Sequence, residues 1–435
     1  MQVLVVGSGP AGLMVGAALA TRGHSVVSVD RDPGPTPQGW RRRGVMQFDH
    51  AHNFRPQVGQ LLADEWPAAY DGWQERGAIE MDGGSGRGGM LSRRSTLERA
   101  LWAAARRQPG LELRTGHVDH LLLEDGRVCG ASVDGQRAVA DLVVDASGRS
   151  SRVAVAGTSR SDARLDGDCG LAYIDRCYQL HPGSDPGPQN TPLGFIGEFD
   201  GYQCLVFLHE RGHFSVVLVR PTADAALALL RVEAVFEAAC AAIPVLAAWT
   251  DPARAVPTSG VMVGGALRNV YRSQVLLPGL VTVGDAVATT TPTRGRGVAM
   301  ACMQIAALLR LLDDGADPVT VAAPFDSWCE QNIVPWVADH VAIDGGMVQR
   351  WQGHDIDLAS PLTSNLIAEA LPVEPRIGPY SGGYFAMTEL PETLRPAEPL
   401  ARAVYETGWR PPLEEGPSRD ELVGIIERTT AVAAT

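Results

Sequence analysis

Val3-Leu4-Val5-Val6 runs directly into Gly7-Ser8-Gly9-Pro10-Ala11-Gly12 at the start of the chain. The apolar run reads as a buried strand, and Ala11 to Arg22 as a helix ended by Gly23-His24. Ser25 to Asp30 then reads as a second strand, completing a strand–helix–strand unit of about 30 residues. The glycines narrow the choice of ligand. Gly7 permits the tight turn, Gly9 lets a pyrophosphate approach the backbone, and Gly12 lets the helix pack closely on the sheet. The first helical turn, with Pro10 and Ala11, offers free N–H groups and a partial positive charge to phosphates. Asp30 follows about 20 residues on, where a carboxylate accepts from ribose hydroxyls. With Arg31 beside it, it marks the adenosine end, and its charge disfavours a 2′-phosphate there.

A second glycine-rich turn lies far along the chain. The apolar stretch Leu276 to Val283 ends at Gly284-Asp285-Ala286, followed by Thr291-Pro292-Thr293-Arg294-Gly295-Arg296-Gly297-Val298 and a long apolar helix from Arg296 to Leu312. A carboxylate at a strand end suits ribityl hydroxyls. Pro292 stiffens the loop, Gly295 and Gly297 let backbone approach a flat ring, and the helix start at Val298 turns its positive end to that ring. Pyrophosphate at one turn and ribityl plus isoalloxazine at the other make FAD the expected cofactor. Asp145-Ala146-Ser147-Gly148 closes a third apolar strand, Ala140 to Val144, and Arg94 opens a helix that reads from Ser95 to Arg107.

The 435 residues allow two or three domains, and a 45% hydrophobic, 20% charged composition is that of a globular protein. A net charge of -13 argues against nucleic acid and anionic membrane as partners. The 7 cysteines are scattered with no C-x-x-C, which argues against a disulfide framework or a metal site. No secretory leader and no membrane-spanning run is read, so the expected location is cytoplasmic. All 37 basic residues are arginine.

The expected fold is α/β: an FAD/NAD(P)-binding Rossmann-like domain with an inserted mixed β-sheet substrate domain and a helical C-terminal extension. Residues 1–160 and 270–330 form the discontinuous cofactor domain, 161–269 the substrate domain and 331–435 the extension. Within the insertion, Leu171 to Leu180 reads as a strand, Tyr202 to Leu208 and His213 to Val219 as a hairpin, and Ala223 to Ala242 as a helix.

The four segments, in this order and spacing, resemble the FAD-dependent monooxygenases of the aromatic-hydroxylase (p-hydroxybenzoate hydroxylase-like) superfamily over residues 1–155 and 270–312. The resemblance implies that Asp30 holds the ADP half and that Arg94 lies along the cofactor. Asp145 and Gly148 stand for the family's strand-end motif, and Gly284 and Asp285 for its later one. Arg43-Gly44-Val45-Met46-Gln47, with His50 and His52, is similar to a polyketide epoxidase-like subgroup. Met46 stands where the family usually has proline, and Asp285-Ala286-Val287-Ala288 departs from the phenol-hydroxylase pattern. The implied reaction transfers one oxygen atom of O₂, through a flavin hydroperoxide, to an electron-rich alkene or aromatic molecule of secondary metabolism. NADH or NADPH, bound transiently, or a partner flavin reductase supplies the electrons.

His50, His52 and Tyr178 are the candidate catalytic side chains, and Tyr173, Arg176 and Tyr178 the candidate pocket lining for a small hydrophobic substrate. Three rivals share the cofactor. A flavin-dependent halogenase requires a lysine near the flavin, and this chain has no lysine. A reductase or dehydrogenase of carbon–carbon bonds would need no O₂, and a non-catalytic flavoprotein would resist reduction.

Overall fold

The computed structural model describes residues 1–42, 44–84, 86–151, 164–265 and 267–433. Arg43 and the expected boundary at 160/161 therefore lie outside the described residues. A five-stranded parallel sheet carries the strands Leu280–Thr282, Leu142–Asp145, Gln2–Val6, Ser25–Asp30 and Leu111–Thr115, side by side in that order. Val6, Asp145 and Thr282 stand opposite one another at its carboxyl edge, with Asp30 at the end of the neighbouring strand. Parallel strands covered on both faces read as near-continuous apolar runs, as Leu280–Thr282, Leu142–Asp145 and Gln2–Val6 do, while the edge strand Leu111–Thr115 is polar and largely exposed. Ligands of open parallel sheets bind beyond that edge.

The helix Pro10–Thr21 leaves the first strand, and Gly23 at φ +82 ends it. Gly7, at φ +104, makes the turn between them, and a Cβ there would lie 2.6 Å from the Ala146 carbonyl oxygen. The helices Arg94–Ala105 and Gly297–Asp313 share the adjoining core with it, as do residues of Val334–Trp351. The expected strand from Leu276 shortens to Leu280–Thr282, because Leu276 is exposed and pairs with nothing.

The insertion forms a second sheet, with Gly194–Phe199, Tyr202–Leu208, His213–Pro221, Leu171–Leu180 and Ala255–Pro257 in that order and Met262–Gly264 also on Leu171–Leu180. Every described pairing in it is antiparallel, where a mixed sheet was expected: hairpins join Gly194–Phe199, Tyr202–Leu208 and His213–Pro221, and longer connections return the chain against Leu171–Leu180. Its back face packs Ile174, Tyr178 and Phe214 against the helices Glu233–Ala242 and Pro244–Thr250, the second of which contributes Trp249. The expected helix from Ala223 begins only at Glu233, after a 3₁₀ turn at Leu227–Arg231. Leu422 and Ile426 of the last helix, Arg419–Ala433, join that same core. The front face, with Tyr173, Leu205 and Phe207, turns toward the cofactor side. Among the described residues no single helix is long and apolar enough to cross a membrane.

Candidate cofactor and substrate site

The three strand-end motifs converge. Asp145 of one strand accepts from the Val283 N–H of the next, and a Cβ on Gly284 would lie 3.1 Å from the Ala11 Cβ. Gly9 caps the first helix with no side-chain hydrogen bond, so the N–H groups of that turn stay open. A Cβ on Gly9 would meet only the Arg42 guanidinium, at 3.7 Å. The space above this turn is thus free for a phosphate. Asp30 accepts from Ser8 N–H at 2.7 Å and from Arg42 Nη2 at 2.8 Å, and keeps lone pairs for a ribose.

Arg42 was not singled out in the sequence. It is buried, donates to Asp30 and Glu98 at 2.8 Å each, and lies 3.5 Å from Asp32. Glu98 also accepts from Arg94 Nε at 2.6 Å. One buried carboxylate therefore holds two guanidiniums in a row, from the Gly7–Gly12 turn toward the later motif. Arg94 sits at the start of its helix because Glu210 of the hairpin pins Arg93 and Thr96 there. Gly44 lies near Arg31, and Gly148 caps the turn after Asp145, which accepts from Ser147 and Ser151.

A cavity of about 440 Å³ opens between the parallel sheet's edge and the front of the antiparallel sheet. Asp285, Pro292, Gly295, Gly297 and Val298 form one wall, and Tyr173, Phe207 and Leu267 the other. The Asp285 carboxyl has no hydrogen-bond partner among the described residues. Burial pushes it above the usual carboxylate range, against the pull of Arg94 and Arg149. Gly295 takes φ +62, and a Cβ there would lie 2.2 Å from Asn53 Oδ1. The space beside Gly297 is open. An unpartnered carboxyl, an open helix start and a cavity walled by Pro292, Gly295, Gly297 and Val298 fit a ribityl chain and an isoalloxazine ring.

His52 lines this cavity. Its Nδ1 faces the His50 carbonyl at 3.0 Å, which makes Nδ1 the donor, and Nε2 faces Arg94 at 3.5 Å as acceptor. Burial and the Arg94 charge hold it down to about 3, so it is a neutral imidazole at ordinary pH. His50 does not reach the cavity. Its Nδ1 is 2.5 Å from Asp175 Oδ1, whose other oxygen takes Ala51 N–H at 2.8 Å, which moors the loop to the sheet. Strand alternation separates the remaining candidates. Tyr173 and Asp175 face the front. Arg176 and Tyr178 face the back, bonded to Glu237 at 2.6 Å each, and are not in the cavity.

The C-terminal helix Val334–Trp351 supplies a buried network behind the second loop. Thr291 Oγ donates to Asp344 Oδ2 at 3.0 Å, and His340 Nδ1 lies 3.1 Å from that oxygen of Thr291. Asn269 donates to Asp344 at 2.6 Å and accepts Thr291 N–H at 2.8 Å. Asp339 takes Arg296 Nη1 at 2.6 Å, and the Trp336 and Tyr384 rings flank that guanidinium at 4.7 and 5.0 Å. Nothing in the sequence reading had assigned these side chains. The available signal was polar residues on the apolar stripe Trp336, Val337, Ile343 and Met347.

Burial raises Asp344 to about 6, against the pull of Asn269, Thr291, Arg294 and Arg296. A carboxyl raised on folding binds its proton more tightly in the native state. Stability from this group is therefore full below pH ~4 and falls by on the order of 3 kcal/mol as pH rises to ~6. His340, pushed well below its usual range by burial and by Arg296, Arg294 and Arg55, stays neutral across that window and adds the opposite trend. Denaturation midpoints at pH 4, 5, 6 and 7 isolate Asp344. The wild-type-minus-Asp344→Asn difference should slope downward from pH 4 to 6, and a flat difference would contradict the assignment.

Residues 1–161 match the model of the FAD binding domain family. No curated protein sequence matches. Among solved structures, the chain is similar to PqsL, a probable FAD-dependent monooxygenase from Pseudomonas aeruginosa, at 15% identity and TM-score 0.62, covering 81% of this chain and 98% of that one. It is similar to the flavin-dependent brominase Bmp2 at 16% identity and TM-score 0.56, covering 86% and 100%. A 2-methyl-3-hydroxypyridine-5-carboxylic acid oxygenase shows 16% identity and TM-score 0.56, covering 83% and 94%. Fold, site and family match together define an FAD-dependent oxidoreductase.

Proposed function

We propose that the chain is a monooxygenase that transfers one oxygen atom from O₂ to an electron-rich alkene or aromatic molecule, by epoxidation or hydroxylation, in secondary metabolism. The observation that carries this is the cavity shared by the second glycine-rich loop and the apolar front of the inserted sheet. Bound FAD supplies the two-electron redox chemistry and the activation of O₂. The protein's residues position it. In this reading the open N–H groups after Gly9 bind the pyrophosphate, Asp30 and Arg42 the adenosine side, and Asp285 accepts from ribityl hydroxyls. Pro292 to Val298 lie against the ring, with the helix start favouring negative charge there by about 0.3–2 kcal/mol. Tyr173, Phe207 and Leu267 hold the substrate and exclude water. Neutral His52 offers Nε2 as a hydrogen-bond acceptor. NADH, NADPH or a reductase supplies electrons. The motif Arg43-Gly44-Val45-Met46-Gln47, with His50 and His52, supports a likeness to the polyketide epoxidase-like subgroup.

Two measurements test this. A panel of phenols, enols and conjugated alkenes is screened for O₂ uptake with NADH or NADPH, and one class should raise uptake with product formed in step. Product formed under strict anaerobiosis assigns the chain to the reductases of carbon–carbon bonds. Asp285→Ala should leave the circular dichroism unchanged and weaken FAD retention ~10-fold or more, since a hydrogen bond to a charged group is worth about 1.5–3 kcal/mol.

A further inference from the structure

The cavity is unevenly charged. Among the described residues five arginines line it, Arg94, Arg149, Arg268, Arg272 and Arg296, against the single carboxylate Asp285. Three of them are neutralised elsewhere: Arg94 by Glu98, Arg268 by Asp166 and Arg296 by Asp339. Arg149 is exposed and, among the described residues, makes its hydrogen-bond contact with the Met46 sulfur, at 3.8 Å. Arg272 is different. It follows the strand Arg268–Tyr271, tied by its N–H to the Val287 carbonyl at 2.8 Å, and continues the cavity-facing alternation of Arg268 and Val270. Its Nη1 is buried without a hydrogen bond, and it has no ion pair among the described residues. The Thr290 hydroxyl, lining the same cavity, is likewise buried and unpartnered. A half-buried cation and a buried hydroxyl left open in a cavity that Phe207, Leu267 and Val270 also line are costly unless something completes them. The planar guanidinium fork matches a carboxylate in two-point fashion.

We propose that the cavity takes a molecule with an apolar ring or alkene body and one carboxylate, and that Arg272 and Thr290 read that carboxylate. The inference rests on the cavity being the substrate site. A coenzyme phosphate is also an oxyanion. The apolar residues around Arg272 favour an organic acid, and the experiment separates the two.

FAD-loaded enzyme in the oxidised state is titrated, by flavin difference absorbance, with benzoate, 2-naphthoate and indole-3-acetate, each against its neutral amide. At least one acid should bind ~10-fold or more tightly than its amide, the margin of about 1.4 kcal/mol. That preference should collapse to ~2-fold or less in Arg272→Gln, survive in part in Arg272→Lys, and weaken in Thr290→Val, all with FAD retained. Thr290→Val carries the test alone if Arg272→Gln does not fold. The proposal is overturned if no acid perturbs the flavin at its solubility limit, if the amides bind equally, or if the preference survives Arg272→Gln. It is also overturned if 2′,5′-ADP binds in an Arg272-dependent way and the acids do not, which gives the site to a coenzyme phosphate. Because the readout is binding, an acid that binds and never supports O₂ uptake defeats the monooxygenase reading and leaves this one standing.

Discussion

Gly9→Val is expected to give a folded, colourless protein, and Gly12→Val to give no folded protein at all. The two glycines sit in one turn and differ in what surrounds them. Gly9 has φ -75 and ψ -179, a conformation open to any residue, and its Cβ direction meets only the Arg42 guanidinium, at 3.7 Å. Valine there disturbs nothing in the protein and fills the space a pyrophosphate needs. FAD affinity should fall at least ~100-fold, about 2.7 kcal/mol, with circular dichroism unchanged. A Cβ on Gly12 would stand 1.8 Å from the Gly7 carbonyl oxygen and 2.9 Å from its carbon. Relief requires moving the turn off the sheet, at a cost of about 4 kcal/mol or more against a total stability of about 5–15 kcal/mol. Visible spectra and thermal melts of the two variants separate the cases. A Gly9→Val protein that purifies fully loaded with FAD would remove the pyrophosphate assignment.

Local pattern made part of this architecture readable in advance. Val3 to Val6 and Leu142 to Val144 are buried on both faces, so their apolar runs announce parallel strands. The hairpin from Tyr202 to Val219 is buried on both faces, and its two apolar runs around the turn His209 to Gly212 mark it. The faces were harder. Tyr173, Arg176 and Tyr178 lie on one readable strand, yet a period of two sends Tyr173 to the cavity and the other two to the helices behind. Which face meets the cofactor depends on the second sheet's placement, which local sequence does not encode. Arg42 stands between two other arginines in a loop without periodicity, so nothing marked it as the one that Glu98 and Asp30 bury.

Long-range polar pairing escaped the sequence for a related reason. Residues after 330 read as a helical extension broken by Pro- and Gly-rich connections, not as a catalytic unit. In the fold they bring Asp339, His340 and Asp344 under the second glycine-rich loop, while Tyr384 and Tyr405 join the core of the parallel sheet. A buried ion pair is a fact about two distant positions at once. Amphipathic spacing reports only that a polar residue sits on the wrong face, not which charge it meets.

Asp339→Ala should therefore destabilise the whole protein. Arg296 is 2% exposed and immediately precedes the helix Gly297–Asp313, whose positive end disfavours a cation there. Arg55 and Arg294 add like charge close by, and burial with those two neighbours, Arg296 and Arg294, lowers Arg55 to about 10. Asp339 is the carboxylate that compensates, at 2.6 Å, and it also accepts the Tyr384 hydroxyl at 2.9 Å. Removing one partner of a buried pair costs about 3–5 kcal/mol, because the other charge is left buried. The ring contacts with Trp336 and Tyr384 return at most ~2 kcal/mol, so they do not rescue it. The double variant Arg296→Met with Asp339→Leu removes both charges and should recover most of the loss, as buried pairs replaced by apolar groups commonly do. Urea denaturation of the three proteins reads the comparison directly. A shift below ~1 kcal/mol in Asp339→Ala would mean that Arg296 finds water or another acceptor, and that the C-terminal helix does not hold the second loop in place.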